Sequence, residues 1–314
     1  MTTILVTGGA GFIGSNLSDR LLAEGHRVIG IDDLSTGRIA NLSEARGYGK
    51  EFTFYNMDVR AEGLPPLFER HRPEVVMHLA AQAGVRPSLE KPVHDASVNL
   101  MGLLNVLECS VRTGVGKVVY AASGGTLYGE PKKVPVKEAA WRGSAPLSPY
   151  GISKKVGIDY LAHYERYRSV DFTALALGNV YGPRQDPYGE AGVVGIFTAK
   201  MLSGEAPTIF GDGNQTRDWV FIDDTIHAFV LAIPRASGKV VNVGTGVETS
   251  VNKLFVMLAE ITGFAGEPQH GPLPPGELRR ISLDNSLAGS ALGWRPWTHL
   301  EDGLRETVAY LKGI

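Results

Sequence analysis

Tyr150 and Lys154 stand four residues apart in the chain. Ser148 and Pro149 precede them, a pair suited to the N-cap and first position of a helix. The spacing predicts that phenol and ammonium share one face of a helix start. A tyrosine hydroxyl has an ordinary pKa of about 10 and is a weak base near neutrality. An ammonium beside it favours the phenolate and draws that value down. Ser123, just past a β-branched run, adds a hydroxyl able to share a proton. Such a trio suits the oxidation of an alcohol to a ketone and its reversal. The spacing recurs at Tyr128 and Lys132, but Gly129 and Pro131 oppose a helix there. In isolation the motif is more often a solvated helix face, so its meaning rests on what lies upstream.

Upstream lies Gly8-Gly9-Ala10-Gly11-Phe12-Ile13-Gly14, between an apolar run at Ile4–Thr7 and a helical stretch at 12–24. Glycine at 8 and 11 permits a tight turn and close approach to a pyrophosphate. Gly14 lets helix and strand pack closely. The helix start, with Phe12 and Ile13, offers free N–H groups and a partial positive charge to phosphates. Asp32 ends the next apolar run, with Asp33 beside it, where an acid accepts bonds from the adenosine ribose. An acid there repels a 2′-phosphate, which favours NAD over NADP; Arg38 works against that preference. Asp58, with Val59, follows the third run, where it meets either the adenine amino group or only solvent.

These residues need a frame. Apolar runs at Ile4–Thr7, Arg27–Ile31, Phe52–Asn56, 75–79 and 117–122 alternate with helical stretches. That order predicts an α/β fold, a doubly wound parallel sheet covered on both faces. The expected division is a dinucleotide-binding domain over 1–178, to which the chain returns at 219–246. A smaller, irregular cap is expected over 179–218 and 247–314, where glycine and proline become frequent. The stretch 96–112 is apolar nearly all round, so burial on more than one side is expected. It and the helix at 149–167 are candidates for pairing with a second copy in a homodimer. Of the 314 residues, 43% are hydrophobic and 20% charged, with net charge −2 and no basic stripe. Nucleic acid and membrane surfaces are therefore not expected partners. One cysteine, Cys109, allows no internal disulfide and fits the cytoplasm. The dispersed histidines lack ligand spacing, and no metal is expected.

With these motifs in place the chain resembles the extended short-chain dehydrogenase/reductase family, nearly end to end. Further markers are His78-Leu79-Ala80-Ala81, Ser123-Gly124-Gly125, Asn179-Val180-Tyr181-Gly182-Pro183-Arg184, Arg217-Asp218 and Leu292-Gly293-Trp294. Within the family it looks most like the UDP-glucose (UDP-galactose) 4-epimerases. The resemblance implies a tightly held NAD lined by Leu79, Ala80, Ala81 and Asn99, besides the glycine turn, Tyr150 and Lys154. It implies that Asn179, Val193, Thr208, Phe210, Arg217 and Glu277 grip a nucleoside diphosphate. It implies inversion at C4 of a UDP-hexose through a transient 4-keto sugar. Sugar dehydratases of the family carry an Asp-Glu pair where this chain has Gly124 and Gly125. Arg86 could meet a carboxylate, which keeps a uronate 4-epimerase in view. Ile281, at a position that tunes acceptance of N-acetylated sugars, keeps an N-acetylhexosamine substrate in view. A non-catalytic NAD-binding regulator would not need Tyr150 and Lys154. The family's second phosphate-binding arginine is replaced by Pro274, so Arg279 or Arg280 is expected to substitute.

Overall fold

The computed structural model describes residues 1–188 and 192–313. Strands β1 (Thr3–Thr7), β2 (Arg27–Asp32), β3 (Phe52–Asn56), β4 (Val75–His78), β5 (Lys117–Ser123) and β6 (Asp171–Leu177) come first. Then follow β7 (Asn179–Tyr181), β8 (Thr208–Phe210), β9 (Thr216–Arg217), β10 (Trp219–Phe221), β11 (Lys239–Val243), β12 (Thr249–Ser250) and β13 (Gln269–Gly271). The main sheet has seven strands in the order β11-β6-β5-β4-β1-β2-β3. Every pairing in it is parallel. Parallel strands are buried on both faces, which is why their sequences read as unbroken apolar runs. Leu5, Val6, Ile29, Ile31, Val76, Met77, Val118 and Val119 have no solvent exposure. Fully burying each such side chain contributes about 1.5–3 kcal/mol. Helices Phe12–Ala23, Leu64–His71, Gly102–Thr113 and Pro149–Arg168 supply the crossovers.

The doubly wound fold is as the sequence predicts, with two local differences. β6 is a central strand that the apolar-run reading passes over. Its Ala-Leu-Ala-Leu tail suits helix as well as strand, and only pairing with β5 and β11 decides the matter. The stretch 96–112 is not one enclosed helix. A short helix at Pro92–Ala96 runs into a π-type turn at Ser97–Met101, and Gly102–Thr113 continues it. Leu103, Val106, Leu107 and Cys109 are buried on that last piece, whereas Met101 is 59% exposed.

Beyond β6 the pairings are short. β7 pairs with β10 and β8 with β13, both parallel, while β9 and β12 are antiparallel. Leu292-Gly293-Trp294 secures the C-terminal segment. Trp294 is fully buried, and its indole N–H donates to the Asp224 carbonyl at 2.7 Å. The Asp224 carboxylate accepts from the Trp297 and Thr298 backbone N–H groups at 3.3 and 3.2 Å. No helix among the described residues is long and apolar enough to cross a membrane. Trp294→Ala should lower unfolding free energy by about 3–5 kcal/mol, read from urea denaturation, because the indole cavity cannot collapse.

Candidate active site

β1 lies between β2 and β4, so the chain winds one way through β2 and β3 and the other way through β4 to β6. The carboxyl ends of β1 and β4 thus flank the switch point, where a crevice opens. Gly8 holds φ +70°, and a Cβ on it would stand 2.9 Å from the Ala80 nitrogen and 3.1 Å from the Leu79 carbonyl carbon. Only glycine lets these two strand ends close on each other. Thr7 Oγ1 ties them further, accepting from the Leu79 and Ala80 N–H groups at 3.2 and 3.1 Å. A Cβ on Gly14 would overlap the Gly8 carbonyl. Gly11 caps the helix that starts at Phe12 and Ile13, whose first N–H groups have no partner within the helix.

Asp32, at the end of β2, is nearly enclosed and accepts from the Ala10 and Leu34 N–H groups at 3.0 and 2.8 Å. Burial raises its pKa, and these backbone bonds pull it back. Asp33 turns instead onto Ser35, accepting from its N–H at 2.9 Å and hydroxyl at 2.6 Å. The Arg38 guanidinium pairs with Asp186 at 2.7 Å. The cation expected to weaken the preference for NAD is thus spent on another carboxylate. Asp58 is held by Arg60 of its own turn at 2.5 Å, and that bond lowers its pKa. Val59 is buried against Gly102, its Cγ2 standing 2.8 Å from where a Cβ would lie. Asn99 closes a two-way pair with the Gln82 backbone at 2.8 and 3.1 Å, which fixes the loop running on from Ala80 and Ala81.

The helix start predicted at Ser148 is present, with the Ser148 hydroxyl accepting from the Gly151 N–H at 3.2 Å. Tyr150 and Lys154 follow on its first turns. Lys154 is buried, its Nζ lying 4.8 Å from the Tyr120 ring centre and 5.8 Å from that of Tyr150. Burial pushes the Tyr150 phenol up to about 12, with the Ser123 hydroxyl pulling the other way and Asp95 adding to the rise. Burial also brings the Lys154 ammonium down to about 8, against the pull of Asp95. Desolvation thus governs the phenol, and the group that draws it down is Ser123 rather than the expected Lys154. Tyr128, the other candidate, is buried and donates to Asn242 Oδ1 at 2.5 Å.

Ser123 ends β5. A Cβ on Gly125 would lie 3.5 Å from Asn179 Oδ1 and 4.0 Å from Ser123 Oγ, so these groups border one space. A Cβ on Gly124 would meet Leu283 Cδ1 at 2.5 Å and the Ala176 carbonyl oxygen at 3.0 Å. A side chain at 124 would require Leu283 to move aside. Local sequence did not reveal the polar groups behind the trio: His78, Tyr120, Asp95 and Ser153. His78, wholly enclosed and stacked on Tyr120 at 5.9 Å, is driven down to about 3 by burial and then by Lys154, and stays neutral. The His78-Leu79-Ala80-Ala81 marker was its one signal.

Arg86, on the short helix Val85–Glu90 that follows β4, lies over the Phe210 ring at 5.1 Å. Thr208 and Phe210 begin and end β8, and Val193 opens the helix Val193–Leu202. Arg217 donates to the Thr216 carbonyl at 2.7 Å and to the Glu277 carboxylate, bringing two predicted residues together. Arg280, expected as a second phosphate cation, is engaged elsewhere: its Nε and Nη2 clasp Glu248 at 2.9 and 2.6 Å. Arg279 faces Asp212. Arg86 is thus the cation placed against Phe210.

The glycine positions where a Cβ collides, together with the buried acid Asp32 at the end of β2, fit a dinucleotide. A doubly wound sheet with that cradle beside a Ser-Tyr-Lys group defines a nucleotide-dependent dehydrogenase/reductase fold. The chain belongs to the NAD dependent epimerase/dehydratase family, whose model matches residues 4–244. It is 47% identical to the UDP-glucose 4-epimerase of Mycolicibacterium smegmatis over 309 residues, covering 98% of both chains. The Thermotoga maritima UDP-glucose 4-epimerase, solved with UDP-glucose, superposes with TM-score 0.95 at 45% identity, covering 99% of each chain. The Thermus thermophilus UDP-glucose 4-epimerase, solved with NAD, superposes with TM-score 0.92 at 40% identity, again over 99% of each chain. Gly8→Ala should weaken NAD binding about tenfold or more, by calorimetry, since the side chain meets both a left-handed φ and the Ala80 backbone.

Proposed function

We propose that this protein is an isomerase that inverts C4 of a UDP-hexose, interconverting UDP-glucose and UDP-galactose through a 4-keto sugar. The observation that carries the reading is the Ser123–Tyr150–Lys154 group beside the dinucleotide cradle, with Gly124 and Gly125 where dehydratases hold acids. NAD held by Gly8, Gly11, Gly14 and Asp32 supplies the acceptor, and then the donor, for the C4 hydride, and its positive ring favours the phenolate. Tyr150 takes the proton of the 4-hydroxyl and returns it after the sugar has turned over. Ser123 orients that hydroxyl by sharing its proton. Lys154 keeps positive charge beside the phenol. On the other side Arg217 and Glu277, with Asn179, Val193, Thr208, Phe210 and Arg86, hold the nucleoside diphosphate. A firm grip there leaves the hexose free to rotate about its diphosphate. The net reaction consumes no reductant, so the cofactor stays bound from one turnover to the next.

We further infer a homodimer. Ile152, Tyr160 and Tyr167 share one face of the Pro149–Arg168 helix and are 50%, 37% and 63% exposed, with Met101 exposed on the adjoining element. An apolar face of this kind suits a second copy. Cys109, buried and unpaired, supports action in the cytoplasm.

Tyr150→Phe should cut turnover of UDP-galactose by about 10²–10⁴-fold with little change in KM. Wild-type turnover in that variant would remove Tyr150 from the chemistry. The substrate follows from a panel of UDP-glucose, UDP-glucuronate and UDP-N-acetylglucosamine, assayed by product ratio without added reductant. Fastest conversion of UDP-glucose is expected, and a stoichiometric demand for NADH would rule out epimerisation.

A further inference from the structure

Asp95 is a carboxylate with no part in the chemistry above, yet it is fully enclosed. It sits on the short helix Pro92–Ala96. One oxygen accepts from Asn99 Nδ2 at 3.0 Å, and the other accepts from the Ser153 hydroxyl. Ser153 directly precedes Lys154, and Asn99 clamps the Gln82 backbone of the loop after β4. One carboxylate thus joins the π-type turn, the catalytic helix and the loop that borders the cofactor cradle.

Both hydrogen-bond partners are neutral. A buried charge needs compensation as well as hydrogen bonds. The charged and titratable groups facing Asp95 are Lys154 and Tyr150 from the Pro149–Arg168 helix, Tyr120 from β5, and His94 from its own helix. His78 of β4 faces Lys154 and is neutral. Among the described residues no carboxylate lies within ion-pair distance of Lys154, and Asp95 is the acid whose charge favours its ammonium. Lys154 otherwise rests against the aromatic faces of Tyr120 and Tyr150.

We propose that Asp95 is a positioning residue, the buried counter-charge that keeps the Lys154 ammonium protonated beside Tyr150. This role rests on the reading of Tyr150 as the proton-transfer group. Its sign is definite. A negative charge favours the ammonium and disfavours the phenolate, so it raises the pKa of both. Removing it lowers both.

The test compares NAD-loaded wild type, Asp95→Asn and Ser153→Ala over a range of pH with UDP-galactose. Asp95→Asn should move both limbs of the kcat profile to lower pH, by about one unit. Ser153→Ala keeps the charge and should lower kcat with the limbs unmoved. Activity lost equally at every pH in Asp95→Asn would overturn the proposal. An ultraviolet difference titration of tyrosinate, with Tyr150→Phe as baseline, reads the same shift without turnover. A Tyr150 titration unchanged by Asp95→Asn would also overturn it. If that variant does not fold, ¹³C NMR of the Asp95 carboxyl in the wild type decides: ionised at pH 7 supports the role, protonated refutes it. A wild type that converts no UDP-hexose would sink the functional reading, while these titrations would still judge Asp95.

Discussion

The closure of the β1 and β4 ends, where Gly8 meets Leu79 and Ala80 with no room for a Cβ, sets the geometry of the whole site. The winding direction reverses there, so two loops diverge and leave a crevice. Thr7 stitches the loops together, and Asn99 extends that order to Gln82. Because this contact is between backbones, it leaves little freedom to adjust. The Ala10 N–H of the glycine turn that leads into the Phe12 helix donates to Asp32, so turn and acid are held together.

Desolvation is the second constraint. Tyr150 and Lys154 are drawn into the protein, and burial drives their pKa values toward each other, to about 12 and about 8. Taken alone, that favours a neutral phenol. Charge in the surroundings decides whether proton transfer runs near neutrality. Asp95 acts on both groups from inside the protein, and the positive ring of bound NAD acts from the cleft. The acid/base group is therefore set by a balance of fields, beyond what the spacing of two side chains conveys.

The proposed substrate side is built differently. Its residues come from short, separate strands and loops, and charge pairs hold them: Arg217 with Glu277, Arg280 with Glu248. Gly124 shows how packing also selects chemistry. Leu283 and the Ala176 carbonyl crowd the space beside Gly124, so a side chain there requires Leu283 to shift.

Much was legible in the sequence because it is encoded locally. The glycine turn, the apolar runs, the Ser148 cap and the Tyr150–Lys154 spacing depend on residues within a few positions of one another. These determined the doubly wound fold and the cofactor class, and singled out Ser123, Tyr150 and Lys154 as the proposed catalytic trio. β6 was not legible, because alanine and leucine suit either state until a neighbouring strand claims them. The pairing of Arg38 with Asp186 and of Arg280 with Glu248 was not legible either, since a guanidinium's partner depends on which loops meet. Asp95 was the least visible. It lies 58 residues from Ser153, and nothing around it marks it as catalytic support. Only the tertiary structure decided those points, because burial and long-range charge arise when distant segments enclose a common space.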